Sequence, residues 1–86
     1  MRKIKIDERD FSDVHALMAQ LKEALDFPDY FGESPAALRD CLGDICEPTR
    51  ITIVRRDPTP DTWFDRASSI IVRASLENEC LSVRIR

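Results

Sequence analysis

The chain has 86 residues, a formal net charge of −3, and contents of 43% apolar and 34% charged residues. That length builds one domain with a single modest core and is too short for an enclosed active-site cavity between domains. No apolar run approaches the ~20 residues that span a bilayer, and the N-terminal sequence MRKIKIDERD has no apolar segment of the signal-peptide type. We therefore expect a cytoplasmic protein, a single domain over residues 1–86, that binds no membrane.

The first two predicted elements are a strand and a helix. Residues Arg2–Asp7 alternate between apolar and charged side chains, with Ile4 and Ile6 on one side, which predicts a half-buried strand. From Asp10 to Leu25 the period changes to that of a helix, and Asp10 or Ser12 is the expected N-cap. The apolar stripe of this helix consists of Val14, Leu17, Met18, Leu21, Ala24 and Leu25.

A turn and a second helix are predicted over about Pro28–Cys46, with Pro48 ending them. Ser34 is the expected N-cap, and Pro35 suits the first helical position. We expect Phe31 to pack inward and Tyr30 to be partly exposed. The predicted buried stripe consists of Ala37, Leu38, Cys41, Leu42 and Ile45. The predicted outer stripe consists of Ala36, Asp40, Gly43, Asp44 and Glu47.

Negative charge is concentrated in this stretch. Six acidic residues and one arginine, Arg39, lie from Asp26 to Glu47, a local charge of −5, and the outer stripe is expected to have no cation pairing with it. Asp40 and Asp44 form a like-charge i,i+4 pair that weakens a helix by roughly 0.2–0.5 kcal/mol. A solvated helix face explains the pattern equally simply. A pI near 5.1 nevertheless favours a basic protein as partner and argues against nucleic acid.

The remaining sequence predicts a strand, a loop, a helix and a strand. Thr49–Arg56 is a β-branched run in which Val54 is out of phase, so this strand is expected to be the more buried. The sequence Asp57-Pro58-Thr59-Pro60 predicts a loop, after which Thr59 or Asp61 caps a third helix running to about Glu77. Asn78 suits a left-handed C-terminal position. The last strand contains Leu81, Val83 and Ile85, and the third helical stripe contains Trp63, Phe64, Ala67, Ile70, Ile71 and Ala74.

The element order is therefore strand, helix, helix, strand, helix, strand. Helices between strands imply right-handed crossovers and a three-stranded parallel sheet. Because the first and last strands alternate, only one sheet face is expected to be covered. We predict a two-layer α/β fold with a polar exposed sheet face carrying Lys3, Lys5, Thr52, Arg84 and Arg86.

The segment PDYFGESPAALRDCL, with this element order, resembles the barstar family of intracellular inhibitors of barnase-type ribonucleases. The resemblance covers essentially the whole chain. It implies that the second helix and the preceding turn occlude a ribonuclease active site. Asp40 would take the place of a substrate phosphate, and Tyr30 would pack at the active-site mouth. The implied partner is a basic, extracellular-type ribonuclease or a ribonuclease toxin, to which this chain would be the immunity protein or antitoxin, monomeric when free.

The chain departs from the family pattern at several site positions. Ala36 stands where the family usually has an acid, Ser34 and Pro35 replace the usual Asn and Leu, and Arg39 replaces an aromatic residue. On the third helix no contact acid can be placed, since Ala74 or Arg73 lies near that position. Arg39 either tempers repulsion among its acidic neighbours or pairs with an acid of the partner. The implied partner-binding residues are Tyr30, Gly32, Glu33, Ser34, Ala36, Arg39, Asp40, Gly43, Asp44 and Glu47.

Other kinds of function are weakly supported. Cys41, Cys46 and Cys80 are an odd number of cysteines without a secretion signal, so reduced thiols are expected, and their spacing with His15 fits no usual zinc motif. No nucleophile context and no glycine-rich phosphate loop is recognisable, so we expect no enzyme, metal or cofactor. The alternatives are a ribonuclease-independent interaction module with an acidic face and a small cysteine-dependent enzyme.

Overall fold

The structure, a computed structural model, describes residues 1–27 and 34–86. Its strands are β1 (Arg2–Asp7), β2 (Thr49–Val54) and β3 (Leu81–Ile85), and its helices are α1 (Val14–Leu25), α2 (Pro35–Gly43) and α3 (Trp63–Glu77). A short 3-10 helix, Glu8–Asp10, follows β1. The predicted element order is confirmed. β2 ends two residues earlier than predicted, at Val54.

The three strands form one parallel sheet in the order β1-β2-β3. Ile4 of β1 lies beside Ile51 of β2, and Ile51 lies beside Val83 of β3, so the apolar residues of all three strands share one face. Lys3 and Lys5 are exposed on the opposite face, as are Ser82 and Arg84. This arrangement confirms the predicted fold class, a parallel α/β sheet with its helices on one side.

The core lies between that apolar sheet face and the three helices. Phe64 of α3 and Leu21 of α1 are among its fully buried side chains, together with Ile51 and Ile53 of the central strand. Trp63, predicted as a core residue, is half-buried and packs edge-on against Phe64 with ring centroids 5.5 Å apart. Across the residues described, no helix has the length and apolar composition needed to cross a membrane.

Helix caps are the local feature that the sequence predicted least well. Ser34 caps α2 as predicted, its hydroxyl accepting from the Ala37 N–H at 3.1 Å. The predicted caps of α1 and α3 are wrong: Asp13 caps α1 and Thr62 caps α3. In both helices the observed cap lies nearer to the apolar stripe than the predicted cap does. Its side-chain oxygen accepts a hydrogen bond from the backbone N–H three residues later.

An ion pair fixes the carboxyl end of β1. Asp7 is buried, and its two carboxylate oxygens accept from Arg56 Nε at 3.1 Å and Nη2 at 2.8 Å. Such bidentate, charge-assisted bonds are among the strongest that side chains make. The Arg56 guanidinium holds the pKa of Asp7 far below its ordinary value, although burial opposes that shift. The pair ties the end of β1 to the segment that leaves β2.

We expect acid to destabilise the fold through Asp7. A carboxyl whose pKa is lowered by folding stabilises the native state above its unfolded pKa of about 3.9, and that stability is lost as the pH falls toward the folded value. Denaturant melts between about pH 6 and pH 2 should therefore give a steeper loss of unfolding free energy for the wild type than for Asp7→Asn. Equal slopes would mean that the Asp7–Arg56 pair does not contribute.

Candidate functional site

Helix α2 is held to the molecule by one side and exposes the other. Leu38 and Leu42 are its buried residues. At helical spacing, Asp40, Gly43 and Asp44 then lie on the outer side, where all three are exposed. The predicted division of this helix into a buried and an outer stripe is thus confirmed for its helical residues, although Ala37, Cys41 and Ile45 of the predicted buried stripe are only half-buried.

The other predicted site residues that the structure describes are all exposed. Ser34, Ala36 and Arg39 are exposed. Tyr30, Gly32 and Glu33 lie outside the described residues, as does Phe31. Glu47 is exposed, but the expectation that it continues the helical stripe is wrong, because α2 ends at Gly43.

Two ion pairs join the acidic stretch to other parts of the chain. Arg39 Nη2 lies 3.2 Å from Glu77 Oε1 of α3, with both side chains more than 60% exposed. Arg2 Nη2 lies 3.3 Å from Glu47 Oε2, so the expectation of no nearby cation is wrong for Glu47. Ion pairs this exposed contribute little to stability. Within residues 1–27 and 34–86, Asp40 and Asp44 make no ion pair.

Glu77 joins the α2 residues around one shallow depression. Its volume is about 540 Å³, and its lining residues are Arg39, Asp40, Cys41, Gly43, Asp44 and Glu77. We call Asp40, Gly43, Asp44 and Glu77, bordered by Arg39, the acidic face. The sequence reasoning missed Glu77 because it sought an acid near Arg73 and Ala74, one turn earlier on α3. No local sequence signal places Glu77 beside Arg39, because the two residues are 38 positions apart in the chain.

Gly43 leaves the centre of the acidic face open. Within residues 1–27 and 34–86, a Cβ atom added to Gly43 would meet no atom within 4 Å apart from its chain neighbours and the backbone of its own helix. A partner can therefore approach the α2 backbone closely between the two aspartates. The arrangement is suited to contact with a protein surface, because the depression is wide, shallow and lined mainly by polar groups.

Asn78 holds the C-terminal end of α2 in place. Its Nδ2 donates to the carbonyl oxygens of Leu42 and Ile45, each at 3.0 Å, and its Oδ1 accepts from the Cys80 N–H at 2.9 Å. The last carbonyls of a helix have no partner within it, so these bonds satisfy groups that would otherwise need water. The expected left-handed conformation of Asn78 is wrong: its φ is −129° and its ψ is 111°. The Asn78 side chain instead caps the C-terminal end of another helix, α2.

The three cysteines are free thiols and differ in exposure. Cys46 is exposed, whereas Cys41 and Cys80 are half-buried. Burial raises the pKa of Cys41, and the nearby negative charges of Asp44 and Asp40 raise it further. A nucleophilic cysteine needs the opposite shift. Among the described residues, no three side chains of His, Cys, Asp or Glu are grouped as metal ligands.

We expect thiol labelling to separate these cysteines. With a disulfide reagent near neutral pH, Cys46 should react fastest in the native protein, and Cys41 should react slowly until denaturant is added, because the thiolate is the attacking species. Mass spectrometry of peptides from a labelling time course measures each rate. Fast native labelling of Cys41 would support the cysteine-dependent enzyme and count against an inert core thiol.

Comparisons with known proteins bear on this site. A family model described as "Barstar (barnase inhibitor)" matches residues 1–78. The chain is also 57% identical over 42 residues to a Bacillus subtilis (strain 168) protein named "Putative ribonuclease inhibitor YrdF". That alignment covers 49% of this chain and 46% of the relative, so the matched part is about half of each protein's length.

Proposed function

The chain belongs to the barstar family, and from that membership we propose that it is a protein inhibitor of a ribonuclease of the barnase type. The family's description names barnase inhibition, and the name of the partial relative names ribonuclease inhibition. The proposal includes action by occlusion without any catalytic step. It also includes a cytoplasmic location and a role as immunity protein, or antitoxin, to a ribonuclease toxin.

The single observation that carries the mechanism is that the carboxylates of Asp40 and Asp44 make no ion pair with the described residues. Both project from one side of α2 beside Gly43, and within the described parts of the chain neither has an internal cation. A ribonuclease must gather cations to bind RNA phosphates, because each nucleotide carries a negative charge. In our proposal the Asp40 carboxylate occupies the position of a substrate phosphate among those cations, and Asp44 adds charge one turn later.

The remaining site residues have supporting roles in this proposal. Glu77 brings a third carboxylate from α3 to the same depression, and Arg39 partly neutralises it. Ala36 and Ser34 are exposed on the first turn of α2 and would lie at the edge of the contact. Tyr30, Gly32 and Glu33, with Glu47 beyond the helix, complete the proposed partner-binding set on the strength of the family motif alone.

A titration tests the proposal directly. Purified barnase, assayed with a fluorogenic RNA substrate, should lose activity as the protein is added, with an end point at one inhibitor per enzyme. The matched control is a pancreatic-type ribonuclease, which is basic but differently shaped and should keep its activity. If neither enzyme is inhibited, an enzyme captured from the native host is assayed in the same way. Capture of basic proteins that have no ribonuclease activity would instead support the interaction module.

We expect inhibition to depend strongly on salt through the association rate. Opposite charges on the two proteins steer their encounter, and the Debye length shortens from about 30 Å at 0.01 M ionic strength to about 3 Å at 1 M. Stopped-flow mixing with the ribonuclease should therefore show an association rate constant that falls by about tenfold or more over that range, while the dissociation rate changes less. A rate constant independent of salt would remove electrostatic steering from the mechanism.

A further inference from the structure

The exposed face of the sheet is basic although the chain as a whole is acidic. Four exposed cations and the half-buried Arg50 lie on this side of the sheet, whereas the formal net charge is −3. These five residues, which we call the basic sheet face, are Lys3, Lys5, Arg50, Arg84 and Arg86. The two signs of charge are thus separated onto different surfaces of the molecule, the acidic one on α2 and the basic one on the sheet.

Among residues 1–27 and 34–86, the cations of the basic sheet face have no internal counter-charge. None of the five is in an ion pair within the part of the chain that the structure describes. Asp7 follows Lys5 on the same side of β1, but its carboxylate is buried and engaged by Arg56. Unpaired like charges on neighbouring strands repel one another and weaken the sheet slightly. A bound anionic surface would relieve that repulsion.

The spacing of these cations matches the spacing of the free carboxylates on α2. Lys3 and Lys5 are two residues apart on a strand, a separation of about 6.6 Å along the sheet. Asp40 and Asp44 are four residues apart, a separation of about 6 Å along the helix axis. If an α2 helix from another molecule lay along the strands, Asp40 and Asp44 would both lie opposite cations of the basic sheet face.

We propose that the basic sheet face binds the acidic face of a second copy of this chain. The contact is head-to-tail: each copy offers its sheet to one neighbour and its α2 helix to another, so copies can add in rows. The surface suits a helix better than a nucleic acid strand, because its uncharged positions are Thr52 and Ser82 and it has no aromatic residue on which bases could stack. This proposal does not depend on the identity of any ribonuclease.

The association is weak and requires low salt. Three strands of this length present a face on the order of 250 Å², against the roughly 800 Å² per partner of stable interfaces. The chain is therefore monomeric in dilute solution, as the family resemblance implies, and associates as its concentration rises. Since the same acidic face is proposed to bind a ribonuclease, self-association and inhibition exclude each other at that surface.

Sedimentation velocity on the purified chain tests the proposal. At about 0.01 M ionic strength the weight-average sedimentation coefficient should rise with concentration, and at about 1 M the association constant should fall by about tenfold or more. Lys5→Glu with Arg84→Glu should abolish the rise, and so should Asp40→Lys with Asp44→Lys. A mixture of these two double variants should associate again, because each then offers the other an oppositely charged surface.

The control is the single variant Arg66→Glu, at an exposed position on α3, compared with the single sheet variant Arg84→Glu, which changes the net charge by the same amount. The control should associate as the wild type does, and thermal melts confirm that each variant is folded. The proposal is overturned if the control loses association as fully as the sheet variant, or if the mixture stays monomeric. It is also overturned if the wild type remains monomeric at every concentration at low salt. A fluorescent RNA oligonucleotide that then binds the wild type and does not bind the sheet variant would assign the basic sheet face to nucleic acid.

Discussion

Replacing Asp40 by alanine is expected to weaken ribonuclease binding by about 2–5 kcal/mol while leaving the fold as stable as before. If the carboxylate stands in for a phosphate, its removal leaves the enzyme's cations facing a methyl group, buried and unpaired. Stability should stay level or rise by a few tenths of a kcal/mol, because Asp40 is exposed, alanine is the better helix former, and the repulsion from Asp44 disappears. Calorimetric titration and denaturant melting of the same variant measure the two effects.

Glu23→Ala is the matched control for that experiment. Glu23 is an exposed acid on α1, so its removal changes the net charge by the same amount without touching the acidic face. It should lower affinity only slightly, through the weaker long-range attraction. An Asp40→Ala variant that binds its ribonuclease as tightly as Glu23→Ala does, or that unfolds clearly more easily than the wild type, would show that Asp40 has no phosphate-like role here.

The fold could be predicted from the sequence because its main signals are local and periodic. Alternation in β1 and β3 and helical stripes in α1 and α3 each report which side of an element is buried, and the order of elements leaves few topologies for a parallel sheet. The cap positions were less predictable. Asp10, Ser12 and Asp13 all have side chains able to cap, and Asp13, the one nearest the apolar stripe, is the residue whose carboxylate accepts from the Ala16 N–H.

The acidic face was predictable only where it lies on one element. Asp40, Gly43 and Asp44 share a helix, so spacing alone places them together. Glu77 and Arg39 are 38 residues apart and meet because α2 packs against α3, which no local pattern reports. The Arg2–Glu47 pair has the same origin, since β1 and the start of β2 are neighbours in the sheet. The two ion pairs offset each other in the local charge, because Arg2 brings a cation to the acidic stretch and Glu77 brings a further carboxylate.

Replacing Asn78 by alanine should have the largest effect on stability of any single polar change near the site, a loss of about 2–4 kcal/mol. The side chain makes three hydrogen bonds of 3.0 Å or less, and each such bond contributes roughly 0.5–1.5 kcal/mol net. Helix α2 depends on them because it buries only Leu38 and Leu42, whereas α1 buries four residues and α3 buries five. Chemical denaturation gives the total loss.

The loss should also be local, and this distinguishes a cap from general packing. Hydrogen exchange of the α2 amides should accelerate more in Asn78→Ala than that of the α1 amides, because the Asn78 side chain holds the end of α2.

Asn78→Asp keeps the oxygen that accepts from Cys80 but loses both donors and puts a negative charge beside the helix C-terminus, so it should be at least as destabilised. Glu79→Ala, exposed and adjacent, should stay within about 0.5 kcal/mol of the wild type. If Asn78→Ala behaved like Glu79→Ala, α2 would hold its position by packing alone, and the placement of Asp44 on the acidic face would not depend on the Asn78 side chain.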